Sequence, residues 1–457
     1  MKRVSFHTLG CKLNFAETAT FQREFAAQGF STVDAREESD VVVINTCSVT
    51  QNADRDARKA VRQALRTSPG AYVIVLGCYA QLQADEIASI DGVDLVLGNE
   101  EKFHIMDHAD PRWRKSDTRI VVGDVAETQK FNVAYSSEGG GRTRAFLKVQ
   151  DGCDYNCSYC TIPMARGASR SESIDATVAH ARDILAQGFH EIVLSGVNVG
   201  DYGAGTESTL FNLLEALLAL PGDFRLRVSS IEPNLLDDDI IALAAAHPKF
   251  APHFHIPLQS GSDAVLRSMR RRYNTAMYRE RVDAVLAAMP DAAIGVDVIV
   301  GMPGETEELF RESYTFLVDL PCAYLHVFNY SERPGTEASG FNVQVPPQER
   351  ARRSSMLRTL GARKRRAFSQ TQIGRTLQVL FESGDEEKGS TGFSENYVRV
   401  SVPFRPELEN RILPVHCTAF DGEVLTGVPV TDAHAAEVAQ SGEGVHAATT
   451  MNGATAL

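Results

Sequence analysis

Three cysteines, Cys153, Cys157 and Cys160, crowd into the segment QDGCDYNCSYCTIP with a C-x3-C-x2-C spacing. Three thiolates in one tight loop can hold three irons of a [4Fe–4S] cube and leave the fourth iron without a protein ligand. That open iron can chelate the amine and carboxylate of S-adenosylmethionine, and an electron from the cube then cleaves the sulfonium to a 5′-deoxyadenosyl radical. Zinc is the competing reading, but it needs a fourth soft or imidazole ligand close by, and the segment supplies none. A second set is dispersed. Cys11 ends TLGC, Cys47 ends INTC and Cys78 ends VLGC, each between a strand-like apolar run and a helix-like run. In a parallel sheet such positions converge at the carboxyl edge, where helix N-termini direct partial positive charge at an anionic cluster. The pattern predicts a second [4Fe–4S] site; three buried strand-end cysteines are the alternative. Cys322 and Cys417 stand alone beside strand-like runs and read as core residues.

The elements that must position these residues follow from periodicity. At roughly 100–200 residues per domain, 457 residues predict about three domains. Residues 1–112 alternate apolar runs (RVSFHTLG, DVVVINT, YVIVLG, VDLVLG) with helical stretches such as NFAETATFQREFAAQG and AQLQADEIASI, which predicts a small parallel α/β layer. The glycine run in SSEGGGRTR reads as a flexible boundary. Residues 139–370 carry AFLKVQ, EIVLSG, LRVSSI, HFHIPLQ, IGVDVIVG and AYLHVFNY with helices between most of them. Six βα units predict a partial (βα)6 TIM-like barrel, with an open doubly wound sheet as the alternative. Residues 371–432 hold short strand-like pieces between Gly, Asp and Pro turns and predict a small all-β barrel, while the Ala/Gly/Thr-rich tail from about 433 reads as frayed.

Composition excludes several classes. Hydrophobic residues at 43% and charged residues at 23% fit a core-forming chain and not a disordered or collagen-like one. Eight cysteines in so long a chain do not make a disulfide framework and point to a reducing compartment. No apolar run approaches the roughly 18 residues of a membrane helix, so a cytoplasmic protein without a membrane partner is expected. A formal charge of −13 argues against indiscriminate nucleic-acid binding. Yet Arg350–Phe381 contains nine basic residues (Arg350, Arg352, Arg353, Arg358, Arg363, Lys364, Arg365, Arg366, Arg375) and no acid, a patch suited to a polyanion or, alternatively, a solvated helix face. Arg270, Arg271 and Arg272, next to Tyr273, pose the same choice between an RNA contact and a solvated helix end.

The cysteine triplet, with Tyr159 before its last member, resembles the signature of the radical S-adenosylmethionine superfamily. TLGCKLNFAE, INTCSVT, VLGCYAQ and GCDYNCSYCTIPMARG together resemble the methylthiotransferases over nearly the whole chain. CKLN and NTCSVT are similar to the branch that acts on N6-threonylcarbamoyladenosine at tRNA position 37. The isopentenyladenosine branch and the branch acting on a ribosomal-protein aspartate are the alternatives. The resemblance implies a transferase that replaces hydrogen by SCH3 at C2 of the adenine, one S-adenosylmethionine methylating sulfur and a second supplying the radical. It implies two [4Fe–4S] clusters, on Cys11, Cys47 and Cys78 and on Cys153, Cys157 and Cys160. S-adenosylmethionine contacts are expected from strand-end residues: Ser195, Gly196 and Asn198; Ser229, Ser230 and Glu232; Gln259 and Ser260; Gly301, Pro303 and Glu305. No catalytic residue beyond the cluster ligands is implied. The C-terminal piece resembles the TRAM module, an RNA-binding β-barrel, with Asn396 and Tyr397 in GFSENYVRV at its motif. Arg363, Lys364, Arg365 and Arg366 would hold phosphates. The implied partners are the tRNA anticodon stem-loop, an electron donor and a sulfur donor. An iron–sulfur RNA-binding redox regulator would need the cysteines and the basic patch but not the strand-end set.

Overall fold

The computed structural model describes residues 1–430 apart from 111, 114–116, 129 and 137–142. The glycine run of SSEGGGRTR and the Ala/Gly/Thr-rich tail lie outside the described residues. The chain divides between Phe368 and Ser369 into two compact units.

The first unit opens with β1 (Arg3–Thr8), β2 (Ser31–Val33), β3 (Val41–Thr46), β4 (Tyr72–Gly77), β5 (Leu95–Leu97) and β6 (Arg119–Val121). All pair in parallel in the order β2-β1-β3-β4-β5-β6. VVVINT and YVIVLG are buried at every position, as central strands covered on both faces must be. The short β2 and β6 extend the sheet beyond the four strands expected. AQLQADEIASI does not form one helix; it breaks at Gln83 (φ −142°, ψ 48°) into Cys78–Leu82 and Ala84–Ala88.

A short β7 (Ala134–Tyr135) runs antiparallel to β8 (Arg144–Lys148), and β9 (Gln150–Asp151) pairs with β10 (Arg170–Ser171) as an antiparallel clip that closes the cysteine loop. The remaining strands are β11 (Glu191–Ser195), β12 (Arg225–Val228), β13 (His253–His255), β14 (Ala293–Val300) and β15 (Tyr324–Asn329). β8, β11 and β12 are parallel to one another, and so are β13, β14 and β15. Parallel bridges Leu226↔Phe250 and Ser230↔His255 join the two groups into a six-stranded partial barrel. HFHIPLQ is strand only to His255: Pro257 has no N–H to give the ladder, and Gln259 beyond it lies in the left-handed region (φ 69°). The core lies between strands and covering helices: Ile192, Leu194, Leu226, Val228, Val296 and Val298 pack with Leu213, Leu217 and Val282. Each such burial contributes about 1.5–3 kcal/mol. The long helix Pro347–Gln370 follows the last strand.

The second unit is a closed barrel of β16 (Thr376–Phe381), β17 (Ser390–Ser394), β18 (Arg399–Val402), β19 (Ile412–Phe420) and β20 (Leu425–Pro429), in the order β16-β17-β18-β20-β19. The two lone cysteines, Cys322 and Cys417, are both buried, as core residues should be.

Candidate functional site

β1, β3 and β4 are neighbours, so Cys11, Cys47 and Cys78 meet at one carboxyl edge. Cys11 is the N-cap of the helix Lys12–Ala27, Cys47 follows β3 directly, and Cys78 opens the turn after β4. Gly10, with φ 97°, brings the first loop against Cys47: a Cβ added there would lie 2.5 Å from Cys47 Cβ and 2.9 Å from its Sγ. Burial pushes the Cys47 thiol up to about 12, and Cys78 and Cys11 add to the shift. The helix-dipole expectation holds for Cys11 alone. The helix after Cys47 begins only at Gln51, capped by Thr50, and the one at Cys78 is five residues long. Asn45 Nδ2 donates to Asn14 O, joining β3 to the helix Lys12–Ala27, and Thr46 Oγ1 donates to Leu76 O, joining β3 to β4. The polar neighbours of the sulfurs are Asn14, whose Oδ1 lies 3.8 Å from Cys11 Sγ, and Asn99, whose Nδ2 lies 3.6 Å from Cys78 Sγ.

The other triplet sits in the loop clipped by β9 and β10. Tyr155 N–H and Ile162 N–H each approach a sulfur at 3.4 Å, those of Cys153 and Cys160. Arg271 Nη1 donates to Cys157 Sγ at 3.1 Å, and Arg271 also pairs with the buried Glu232. Burial raises the Cys160 thiol to about 12 and Cys153 to about 11.

Of Arg270–Arg272, read as either an RNA contact or a solvated helix end, Arg270 and Arg272 are exposed and only Arg271 departs from that reading. Arg270 pairs with Glu337 at 2.5 Å, Arg271 serves the cysteine loop, and Arg272 lies over Tyr155 and donates to Asp154 O. Sequence reasoning missed Arg271 because its partners are 39 and 114 residues away.

A cavity at the barrel cysteine loop extends to the segment that follows Cys47. Val49 and Thr50, just past Cys47, line it together with Tyr159, Cys160, Gln259 and Asp297. Of the strand-end residues, Asn198 and Ser229 carry buried side-chain atoms with no protein partner (Asn198 Nδ2 and Oδ1, Ser229 Oγ), which suits a polar ligand. Gly196 packs on Gln150, where a Cβ would meet Oε1 at 2.9 Å, and that oxygen accepts the Asn198 N–H. Ser195 donates to Val193 O, Ser230 bonds His255, Ser260 accepts from Ser262 N–H, and Glu232 is taken by Arg271. GMPGET departs from the expectation. Glu305 accepts Gly301 N–H and pairs with buried Arg353 at 2.6 Å, and Gly301 packs on Arg350, so this strand end anchors the long helix. His255 and Asp297, 2.8 Å apart beside the cavity, were not singled out by sequence.

Residues 147–317 match the Radical SAM superfamily, and residues 3–98 match the Uncharacterized protein family UPF0004. The chain is 38% identical over 381 residues to the threonylcarbamoyladenosine tRNA methylthiotransferase MtaB of Aquifex aeolicus, covering 83% of this chain and 92% of that protein. It is 34% identical over 421 residues to the protein of the same name from Bacillus subtilis (91% and 93% covered). The chain belongs to the radical S-adenosylmethionine methylthiotransferases. A third relative in this family, the tRNA-2-methylthio-N(6)-dimethylallyladenosine synthase of a Jannaschia species, is 33% identical over 439 residues (93% and 94% covered). In fold, the chain resembles the radical S-adenosylmethionine methyltransferase TsrM of Kitasatospora setae, with TM-score 0.53, 15% identity, and 72% and 73% of the two chains covered.

The methylthiotransferase's basic helix divides by exposure. Arg353 is buried in its ion pair with Glu305, Arg352 pairs with Glu307 and Glu349, and Lys364 Nζ donates to Val318 O and Leu320 O at the end of the helix Glu307–Asp319. Lys364 is thus a cap as much as a surface charge. Arg358, Arg363, Arg365 and Arg366 remain exposed, with Arg365 also over the Tyr324 ring. In the second unit Asn396 is buried, accepting from Ser394 and donating to Gln372 Oε1, so its side chain holds the turn. Tyr397 (φ 66°) stacks on Phe393 at 4.8 Å, both half-buried. Among the described residues no helix is long and apolar enough to cross a membrane.

Proposed function

We propose that this methylthiotransferase converts N6-threonylcarbamoyladenosine at tRNA position 37 to its 2-methylthio derivative. The carrying observation is the cavity bordered on one side by the residues after Cys47 and on the other by Cys160. A base held there would lie against the Cys160 loop on one side and the Val49–Thr50 segment on the other. Cys11, Cys47 and Cys78 would hold one [4Fe–4S] cluster, and Cys153, Cys157 and Cys160 the second. When bound, the clusters and S-adenosylmethionine supply methylatable sulfur and a deoxyadenosyl radical, the chemistry an aromatic C–H bond without an acidic proton requires. The chain's own residues do the rest. Asn198 and Ser229 offer unsatisfied polar atoms to the amine and carboxylate of S-adenosylmethionine, while Gln259 and Tyr159 line the space for the base. Arg271 donates to Cys157 and orients the loop.

The second unit supplies a TRAM-like RNA surface. Its half-exposed Phe393–Tyr397 pair suits a stacked base. In the first unit, by themselves, Arg363, Arg365 and Arg366 suit the phosphates of an anticodon stem-loop. The setting is cytoplasmic, where thiols stay reduced and tRNA, an electron donor and a sulfur donor are at hand. The test is anaerobic reconstitution followed by nucleoside analysis of tRNAs bearing either N6-threonylcarbamoyladenosine or isopentenyladenosine. The first should gain the methylthio group. Deoxyadenosine release with modification of the second alone would overturn the substrate reading.

A further inference from the structure

Five charged side chains are buried together between the N-terminal sheet and the barrel, each at most 4% exposed: Glu17, Lys102, Lys148, Asp151 and Arg166. Arg166 Nη1 lies 3.0 Å from Glu17 Oε1 and 2.9 Å from Asp151 Oδ1. Lys102 Nζ lies 2.7 Å from Glu17 Oε2, and Lys148 Nζ 2.6 Å from Asp151 Oδ2 and 3.6 Å from Glu17 Oε1. Arg170 reaches Asp151 from the rim. Three fully buried cations, with Arg170 at the rim as a fourth, therefore face two carboxylates, and an uncompensated buried charge costs several kcal/mol. Burial works against the Glu17 carboxylate, yet Arg166, Lys102 and Lys148 hold it down at about 2, so both acids stay ionised and the surplus is positive.

The surplus points at the N-terminal cysteines. Arg166 Nη2 donates at 2.9 Å to Asn14 Oδ1, the atom beside Cys11 Sγ. Lys102 Nζ donates at 2.7 Å to Asn99 Oδ1, and Asn99 Nδ2 faces Cys78 Sγ. A [4Fe–4S]2+ core with three thiolates carries one net negative charge, opposite in sign to this surplus. At the barrel triplet the situation differs, since Arg271, the cation touching Cys157, is neutralised by Glu232.

We infer that Arg166 and Lys102 form a built-in counter-charge for a cluster on Cys11, Cys47 and Cys78, setting its reduction potential above that of the barrel cluster. The inference rests on reading these three cysteines as a ligand set. Reduction adds one electron and one negative charge, so a fixed positive surplus favours the reduced form. Arg166, acting through Asn14, is a positioning and electrostatic residue.

The test is a redox titration of the reconstituted full-length enzyme, following both clusters by electron paramagnetic resonance, with Cys47→Ala identifying the N-terminal signal. That signal should have the higher potential. Arg166→Met should lower it and Glu17→Gln should raise it, each by at least about tenfold in the one-electron equilibrium, or about 59 mV. The double variant, which removes one charge of each sign, should return it towards wild type, and the barrel signal should stay in place throughout. A merely structural network would move both single variants the same way or not at all, and either result, or an N-terminal potential below the barrel's, overturns the inference. If Arg166→Met does not fold, Lys102→Met removes the same unit of charge and must shift the potential the same way. Full iron in Cys47→Ala would remove the ligand reading itself, and the inference with it. Loss of that cluster's iron with unmoved potentials would remove the inference alone.

Discussion

Replacing Gly10 by Ala tests the N-terminal site without touching a sulfur. Two costs add. Gly10 has φ 97°, and an L-residue in the left-handed region loses about 1–2 kcal/mol. The new Cβ would also sit 2.5 Å from Cys47 Cβ and 2.9 Å from Cys47 Sγ, far inside ordinary contact, and relieving such overpacking costs about 1–3 kcal/mol. The strain is expected to total about 2–5 kcal/mol and to be relieved mainly by moving Cys47 away from Cys11 and Cys78. Gly29→Ala is the internal control. It has φ 81° with nothing within 4 Å of the added Cβ, so it carries the backbone cost alone, about 1–2 kcal/mol. The measurements are iron per reconstituted chain, thermal unfolding, deoxyadenosine release and the methylthio nucleoside. Gly10→Ala should lose about half of the iron, keep cleaving S-adenosylmethionine and form no methylthio product. Gly29→Ala should unfold slightly earlier and keep all three. Full iron and full product in Gly10→Ala would refute the placement of Cys11 beside Cys47 as a ligand pair.

Replacing Cys153, Cys157 or Cys160 by Ala should abolish deoxyadenosine formation, since losing one thiolate of three releases that cluster. Arg353→Met, which strands buried Glu305, should destabilise the first unit by about 3–5 kcal/mol in denaturant unfolding. Neutralising Arg363, Arg365 and Arg366 should instead leave stability nearly unchanged and flatten the salt dependence of tRNA binding by roughly one unit of slope per lost phosphate contact. Cluster loading should improve as pH rises from 7 towards 9. The Cys47 and Cys160 thiols, raised to about 12, must lose protons to bind iron, so acid opposes loading.

Much of the site was legible in the chain because its ligands are tied to local patterns. Each N-terminal cysteine directly follows an apolar strand run, and the barrel triplet is contiguous, so periodicity alone brings the members of each set together. The cores of β3 and β4 were equally readable, being unbroken apolar runs. What could not be read is the environment of the sulfurs. Arg271 looked like one of three surface arginines, and only folding brings it to Cys157, 114 residues away. Arg166 and Glu17 are 149 residues apart, and nothing in their spacing marks them as partners. The ion pairs of Arg352 and Arg353 in the basic segment were hidden for a related reason. An acid-free stretch says nothing about acids arriving from elsewhere, and Glu305 and Glu307 come from the preceding strand end and helix to meet Arg353 and Arg352.

The span from Glu17 to Arg166 also governs how the first unit can be taken apart. Arg166 follows Cys160 by six residues, on the helix Ile162–Arg166 that leads out of the barrel's cysteine loop, whereas Glu17 and Lys102 belong to the N-terminal layer. A fragment ending before the barrel would keep Glu17 and Lys102 but lose Arg166, Lys148 and Asp151. The complementary fragment would keep those three and lose the carboxylate that Arg166 and Lys148 share. Each piece would expose charges that the intact chain solvates with protein instead of water, together with the apolar surfaces around them. The two sheets are therefore expected to unfold as one cooperative block, and during synthesis the N-terminal layer can close its own apolar cores but not this charged seam until residue 166 has emerged.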